Sequence, residues 1–117
     1  MQDLFMPALP GYLNDSYENG YIIRKDGSKY KTHSTISRDE CELIYELVLQ
    51  TKPDTSLEIG FCLGFSGCAI LKAMRETGGM MHYAIDPKQS SLGSNVGIEN
   101  VERLNYTNIW DFTFYCG

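Results

Sequence analysis

Leu57-Glu58-Ile59-Gly60-Phe61-Cys62-Leu63-Gly64-Phe65-Ser66-Gly67 is the stretch whose reading decides the fold. It continues a segment that begins at Thr55, and Thr55 to Ile59 is short, β-prone and bounded by turn residues, as a strand should be. Gly60, Gly64 and Gly67 then space a loop. Residues 68–77 have helical composition, with Ile70, Met74 and Leu71 as core-facing positions, and Gly78-Gly79 forms a natural stop. A strand that enters a glycine-rich turn and leaves as a helix makes a place for a ligand. Glycine lets the backbone approach closely, and the helix start presents unpaired N–H groups.

Downstream, Met81 to Ile85 reads as a second strand ended by Asp86-Pro87. A helix follows over about 95–104, with Val96, Val101 and Leu104 as candidate core contacts. Trp110, Phe112 and Phe114 alternate with Asp111, Thr113 and Tyr115, the two-residue period of a third strand. Upstream, Ser37-Arg38-Asp39-Glu40 fits a capping box. Cys41, Ile44, Tyr45 and Val48 then recur on one helical face, which Leu43 and Leu47 widen; Lys52-Pro53-Asp54 ends that helix after about Gln50. Before it, Asp26-Gly27 predicts a hairpin between Tyr21-Ile22-Ile23 and residues 29–32. The first 20 residues read as irregular. The order helix, strand, helix, strand, helix, strand predicts an α/β fold with right-handed crossovers. Its parallel sheet is Rossmann-like, has about three core strands in the order 3-2-1, and sits on residues 37–117. Residues 1–36 form an N-terminal extension.

The chain has 117 residues and a net charge of -5, so it lacks the basic field that a phosphate backbone needs. Nucleic acid is therefore not an expected partner. No apolar run is long enough to span a membrane, and no basic residue precedes an apolar stretch at the N-terminus as in a secretory signal. Cys41, Cys62, Cys68 and Cys116 show no CxxC spacing and read as buried free thiols of a cytoplasmic protein. His33 and His82 make no ligand pair and read as surface or packing residues, and no metal site is expected.

Asp86 follows the second strand, 19 residues beyond Gly67. A carboxylate there can accept hydrogen bonds from both ribose hydroxyls, which points to an adenosine-type ligand. The spacing Gly60-xxx-Gly64-xx-Gly67 fits the dinucleotide fingerprint GxGxxG poorly. Glu58, two residues before the first glycine, would repel a pyrophosphate; even a well-screened like-charge pair at ~4 Å costs about 1 kcal/mol. S-adenosylmethionine carries an ammonium and a sulfonium, so an acid near that end suits it. The two acids and the loop favour S-adenosylmethionine over a dinucleotide, provided that Glu58 and Asp86 face one hollow.

The segment from Leu57 to Ser66 resembles motif I of class I S-adenosylmethionine-dependent methyltransferases, and Ala84-Ile85-Asp86-Pro87 is similar to the acidic end of their second strand. Residues 97–104 resemble the next helix of the small-molecule O-methyltransferase-like members. The resemblance covers residues 37–117. It implies that Glu58 and the backbone of Gly60 and Phe61 lie near the methionine part, that Gly64 permits the turn, that Ser66 opens the helix and bonds the carboxylate, and that Asp86 holds the ribose. It also implies methyl transfer to a small hydroxylated acceptor. Members of that family carry a larger sheet on a chain roughly twice as long. The sequence thus reads as the N-terminal, cofactor-binding half, or as a shortened protein that uses the half-fold otherwise, and no catalytic residue is assigned.

Plainer readings stand beside these. Glu58 can pair with a lysine, Asp86 can be a turn acid, and Gly60 and Gly64 can serve packing alone. Tyr12, Tyr17, Tyr21 and Tyr30 are expected to cover the core rather than to line a substrate cap; Trp110, Phe112 and Phe114 are expected in the core or an interface. The alternative functions are a non-catalytic interaction module and, behind it, a dinucleotide-binding protein. Strand 1 lies at a sheet edge, so either self-association through that edge or cover by the N-terminal hairpin is expected.

Overall fold

The computed structural model describes residues 8–113; Phe114, Tyr115 and Cys116, read above as strand, core and thiol positions, lie outside them. Two short helical turns, α1 (Gly11–Asn14) and α2 (Ser16–Asn19), stand where the sequence reads as irregular, and precede a hairpin of β1 (Tyr21–Ile23) and β2 (Lys29–Lys31). Asp26 braces its turn by accepting from the Ser28 backbone N–H at 2.9 Å and the Ser28 hydroxyl at 2.6 Å. The hairpin pairs only with itself and does not cover strand 1. Instead it is tied to the later helix region: Arg24 pairs with Glu99 at 3.1 Å, and Arg103 donates to the Ile23 carbonyl at 2.7 Å.

Helix α3 (Arg38–Thr51) begins at the expected capping box. The Glu40 N–H donates to Ser37 Oγ at 3.2 Å, and the Ser37 N–H to Glu40 Oε1 at 2.9 Å. It buries Cys41 and Tyr45, but Leu43 and Leu47 are exposed and do not widen the buried stripe. The physical reason is rotation: the side of α3 that carries Cys41 and Tyr45 faces the next helix and the N-terminal extension, and Leu43 and Leu47 lie outside it. Strands β3 (Thr55–Ile59), β4 (Met81–Ile85) and β5 (Trp110–Thr113) form the parallel sheet in the order β3-β4-β5, as the sequence predicts. Helix α4 (Phe65–Thr77) starts three residues earlier than composition suggests, because Gly64 turns the chain at φ +84° and the helix begins directly after it. Leu71 and Met74 are fully buried in it, whereas Ile70 is half-buried. Helix α5 (Val96–Arg103) completes the layer, with Val96 and Val101 buried.

All three helices lie on one side of the sheet. The residues facing them are Ser56 and Glu58 of β3, His82 and Ala84 of β4, and Trp110 and Phe112 of β5. The N-terminal extension closes the same core with Leu9, Leu13 and Ile22, and Tyr12, Tyr17 and Tyr30 pack against it as expected; Tyr21 does not, its ring instead lying 4.7 Å from Lys29 Nζ. The opposite side carries Leu57, Ile59 and Tyr83, exposed by 63%, 71% and 43%, and no described element covers it. The outer edge of β3 is likewise unpaired among the described residues. No described helix is long and apolar enough to cross a membrane.

Candidate functional site

The loop between β3 and α4 is built around the Phe61 ring. That ring is 1% exposed and packs against Trp110 and Phe112, with centroids 5.5 and 5.7 Å away. Three glycines surround it: a Cβ on Gly64, Gly67 or Gly97 would come within 3.2, 2.2 or 2.9 Å of the ring. The glycine spacing of the sequence therefore serves close packing on Phe61 as well as the turn. On Gly97 a Cβ would also stand 2.5 Å from the Cys62 carbonyl oxygen, which is backbone and cannot swing aside. Gly97→Ala should gain up to about 1 kcal/mol of helix propensity but lose about 1–3 kcal/mol to overpacking. A urea titration is expected to show net destabilisation; a stabilised variant would contradict this packing.

Cys62 adopts a left-handed backbone at φ +53°, which disfavours any residue with a Cβ. Two side chains hold it there. Asp86 Oδ2 accepts from the N–H groups of Cys62 at 2.7 Å and Phe61 at 3.0 Å. Gln89 Nε2 donates to the Cys62 carbonyl at 2.6 Å. Gln89 is fully buried, and its Oε1 accepts from the Gly97 and Ile98 N–H groups at the start of α5. Sequence reading did not single out Gln89, since a lone glutamine in a polar loop carries no periodic or motif signal. The Asp86 carboxyl is pushed up by burial, but the backbone N–H groups of Cys62, Lys88 and Phe61 outweigh this and hold it below the usual carboxylate range.

Two hollows flank the loop. The first, about 350 Å³, is lined by His33, Ser34, Gly60, Cys62, Asp86 and Lys88, with Leu92 and Gly93 closing it. This is the size of small-molecule sites. A smaller one, about 100 Å³, is lined by Ser66, Phe65, Leu63, Phe61 and residues 34–36, and it shares Ser34, Gly60 and Cys62 with the first. The extension thus supplies one wall of both. Tyr30 fixes that wall, its hydroxyl 2.9 Å from His33 Nε2.

Of the residues expected at the site, Asp86 lines the larger hollow, Phe61 and Ser66 the smaller one, and Gly60 both, whereas Gly64 lines neither. Glu58 lines neither hollow, so it does not share one with Asp86 as the electrostatic argument from the sequence required; its side chain is only 11% exposed. It reaches the smaller hollow through Ser66, whose hydroxyl donates to Glu58 Oε2. Its other oxygen lies 3.0 Å from Nε2 of His82, which is fully buried, the packing alternative of its two expected placements. The lysine partner considered for Glu58 is not found among the described residues. Without a ligand, the Phe61 N–H donates to Asp86 and the Ser66 hydroxyl donates to Glu58. Gly64, not Ser66, stands at the start of α4, where no side chain caps the first-turn N–H groups. Among the described residues no cluster of three His, Cys, Asp or Glu side chains could hold a metal. Cys41, Cys62 and Cys68 are free thiols; Cys62 is half-buried, at the rim of the hollow, rather than buried.

No protein-family model matches the sequence, and no curated protein matches it. Solved structures do. The chain is similar to the SAH-bound methyltransferase PaMTH1 of Podospora anserina, with 19% identity and a TM-score of 0.65, covering 89% of this chain and 41% of that one. It is also similar to an O-methyltransferase from Bacillus cereus in complex with SAH, with 19% identity, a TM-score of 0.61 and coverage of 72% and 37%. A third is the O-methyltransferase TomG of Streptomyces achromogenes, involved in tomaymycin synthesis and solved with SAM, with 16% identity, a TM-score of 0.59 and coverage of 68% and 34%. The fold is thus the Rossmann-like α/β fold of these enzymes. The chain spans between 34% and 50% of the length of the structures it matches.

Proposed function

We propose that the chain is the cofactor-binding half of an S-adenosylmethionine-dependent methyltransferase that acts on a small hydroxylated acceptor. The observation that carries this reading is the junction of Asp86, the Gly60–Gly64 loop and Ser66 at two adjoining hollows, in a fold shared with SAM- and SAH-bound O-methyltransferases. S-adenosylmethionine supplies an electrophilic methyl on a sulfonium; an acceptor oxygen attacks it as the carbon–sulfur bond breaks, and the electron pair returns to sulfur. This chain's residues bind and orient. Asp86 keeps one acceptor position on Oδ1 beside the Lys88 N–H bond, which suits a ribose hydroxyl. Leu92, Cys62 and Gly93 give the larger hollow an apolar wall for a base. Glu58, behind Ser66, supplies negative charge for the methionine end. Such enzymes work largely by holding the reactants in line.

Calorimetric titration tests the reading. S-adenosylhomocysteine is expected to bind and NAD is not. Asp86→Asn, measured below its unfolding transition, is expected to weaken S-adenosylhomocysteine about tenfold or more, as the loss of a charge-assisted hydrogen bond does. Binding of NAD alone would replace the reading with the dinucleotide one.

A second reading, a non-catalytic interaction module, is favoured by the bare sheet side and the free edge of β3. We propose that this edge pairs with β3 of a second copy, since unpaired N–H and C=O groups lie there beside Leu57 and Ile59 with no proline to block them. Sedimentation at tens of micromolar should find a dimer that Ile59→Lys shifts towards monomer. A wild-type monomer would refute the pairing, and binding of neither nucleotide would favour the module.

A further inference from the structure

Gln89 is fully buried, yet its side chain meets three backbone groups from two different elements. Nε2 donates to the Cys62 carbonyl at 2.6 Å, and Oε1 accepts from the N–H groups of Gly97 at 3.0 Å and Ile98 at 3.3 Å. These partners fix which end of the amide is which, since an N–H can only donate and a carbonyl only accept. No protonation state enters the assignment. Asn95 does not cap α5 with its side chain, so Gln89 satisfies the first-turn N–H groups from within. The partner set needs a donor and an acceptor on one side chain. A carboxylate would set oxygen against the Cys62 carbonyl, and an apolar chain of the same length would leave three buried backbone groups unpaired. Space around the amide is tight: a Cβ on Gly93 would stand 3.2 Å from Nε2 and 3.3 Å from the Cys62 carbonyl oxygen.

Asp86 holds the same turn from its other side, through the Cys62 and Phe61 N–H groups. Cys62 lines both hollows, and Asp86 and Gly93 line the larger one. The left-handed backbone of Cys62, at φ +53°, is one that a residue with a Cβ keeps only when its surroundings hold it. We propose that Gln89 is a positioning residue of the ligand site: by tying the Cys62 carbonyl to the start of α5, it turns the Phe61 and Cys62 N–H groups onto Asp86 and so sets, before any ligand arrives, the carboxylate that grips the ribose. The proposal rests on the S-adenosylmethionine reading above. Gln89 lines neither hollow, so it acts on the ligand through Cys62 and Asp86 and not by contact. A loop that must be reassembled on binding uses part of the binding free energy for its own ordering.

Two measurements on the full chain test this. The first needs no ligand and follows hydrogen exchange of single amides by NMR. In Gln89→Met, exchange at the Phe61 and Cys62 N–H groups should rise about tenfold or more beyond any rise at the β4 amides, because a local opening frees only the amides it exposes. An equal rise throughout would mean a purely structural role and overturns the proposal. The second is calorimetry with S-adenosylhomocysteine. The apparent Kd grows by the inverse of the fraction of molecules whose loop is in place, so a loop assembled in about 1–10% of them weakens binding about 10- to 100-fold. Gln89→Met should fall in that range. In an Asp86→Asn background the same substitution should weaken binding only a few-fold further, since its route to the ligand is already cut. Penalties that multiply in the double variant, or wild-type affinity in Gln89→Met, overturn the proposal while S-adenosylhomocysteine binding stands. If Gln89→Met does not fold, Gln89→Glu carries the same expectations, because it keeps the acceptor for Gly97 and Ile98 and loses only the donor to Cys62. Absence of wild-type binding instead removes the cofactor reading, and the proposal falls with it.

Discussion

Phe61→Ala should destabilise the protein by about 3–5 kcal/mol, the range for truncating a fully buried phenylalanine. The upper part of that range is expected, for a geometric reason. The ring is bordered by Gly64, Gly67 and Gly97, which have no side chains to lean into the space, and by Trp110 and Phe112, which are held in a strand. The cavity therefore cannot collapse cheaply. Against a total stability of about 5–15 kcal/mol, the loss is large enough to bring the variant near its unfolding midpoint at moderate temperature. Urea titration with an unchanged slope is the appropriate measurement. Phe61→Leu, which keeps most of the volume, should cost clearly less. A loss below about 1 kcal/mol for the alanine variant would show that the loop does not rest on this ring.

Asp86→Ala is expected to cost about 3 kcal/mol at neutral pH, because three backbone N–H groups lose a charged acceptor in a site that is 6% exposed. Its pH dependence is the sharper test. Burial raises the carboxyl, but the Cys62, Lys88 and Phe61 N–H groups lower it further, so the folded value lies below the unfolded one. A depressed folded value means that the unfolded state binds the proton more readily. The stability that Asp86 contributes is then complete above the unfolded value, about pH 4, and is lost as pH falls through the folded value. The gap between wild type and variant, measured by denaturant titration, should therefore be widest near neutrality and shrink in acid. A gap that stays constant down to pH 2 would mean that the carboxylate charge contributes nothing.

Local signals carried much of this architecture. The capping box at Ser37 and Glu40, the Asp26-Gly27 turn and the strand–glycine–helix order are properties of neighbours in the chain, and each is where the sequence predicts it. Asp86 was legible for the same reason: a carboxylate ending a strand at a fixed distance from a glycine loop is a positional signal. What it grips was not, since its three N–H partners depend on the left-handed turn at Cys62. The pairing of His82, read only as a surface or packing residue, was not legible because strand alternation says which residues share a side, not what waits there. Its partner Glu58 becomes a neighbour only when β3 pairs with β4. Leu43 and Leu47 extended a stripe by periodicity alone, and periodicity cannot tell how far the packing partner reaches.

The uneven dressing of the sheet has a practical corollary. A thin plate with helices on one side and Leu57, Ile59 and Tyr83 on the other is, in physical terms, an amphiphile. Such a body lowers its free energy at any oily or gaseous boundary, with its greasy side turned outward. Air bubbles, plastic walls and detergent micelles will therefore compete for this protein, and the fraction lost to them will grow as the solution is diluted.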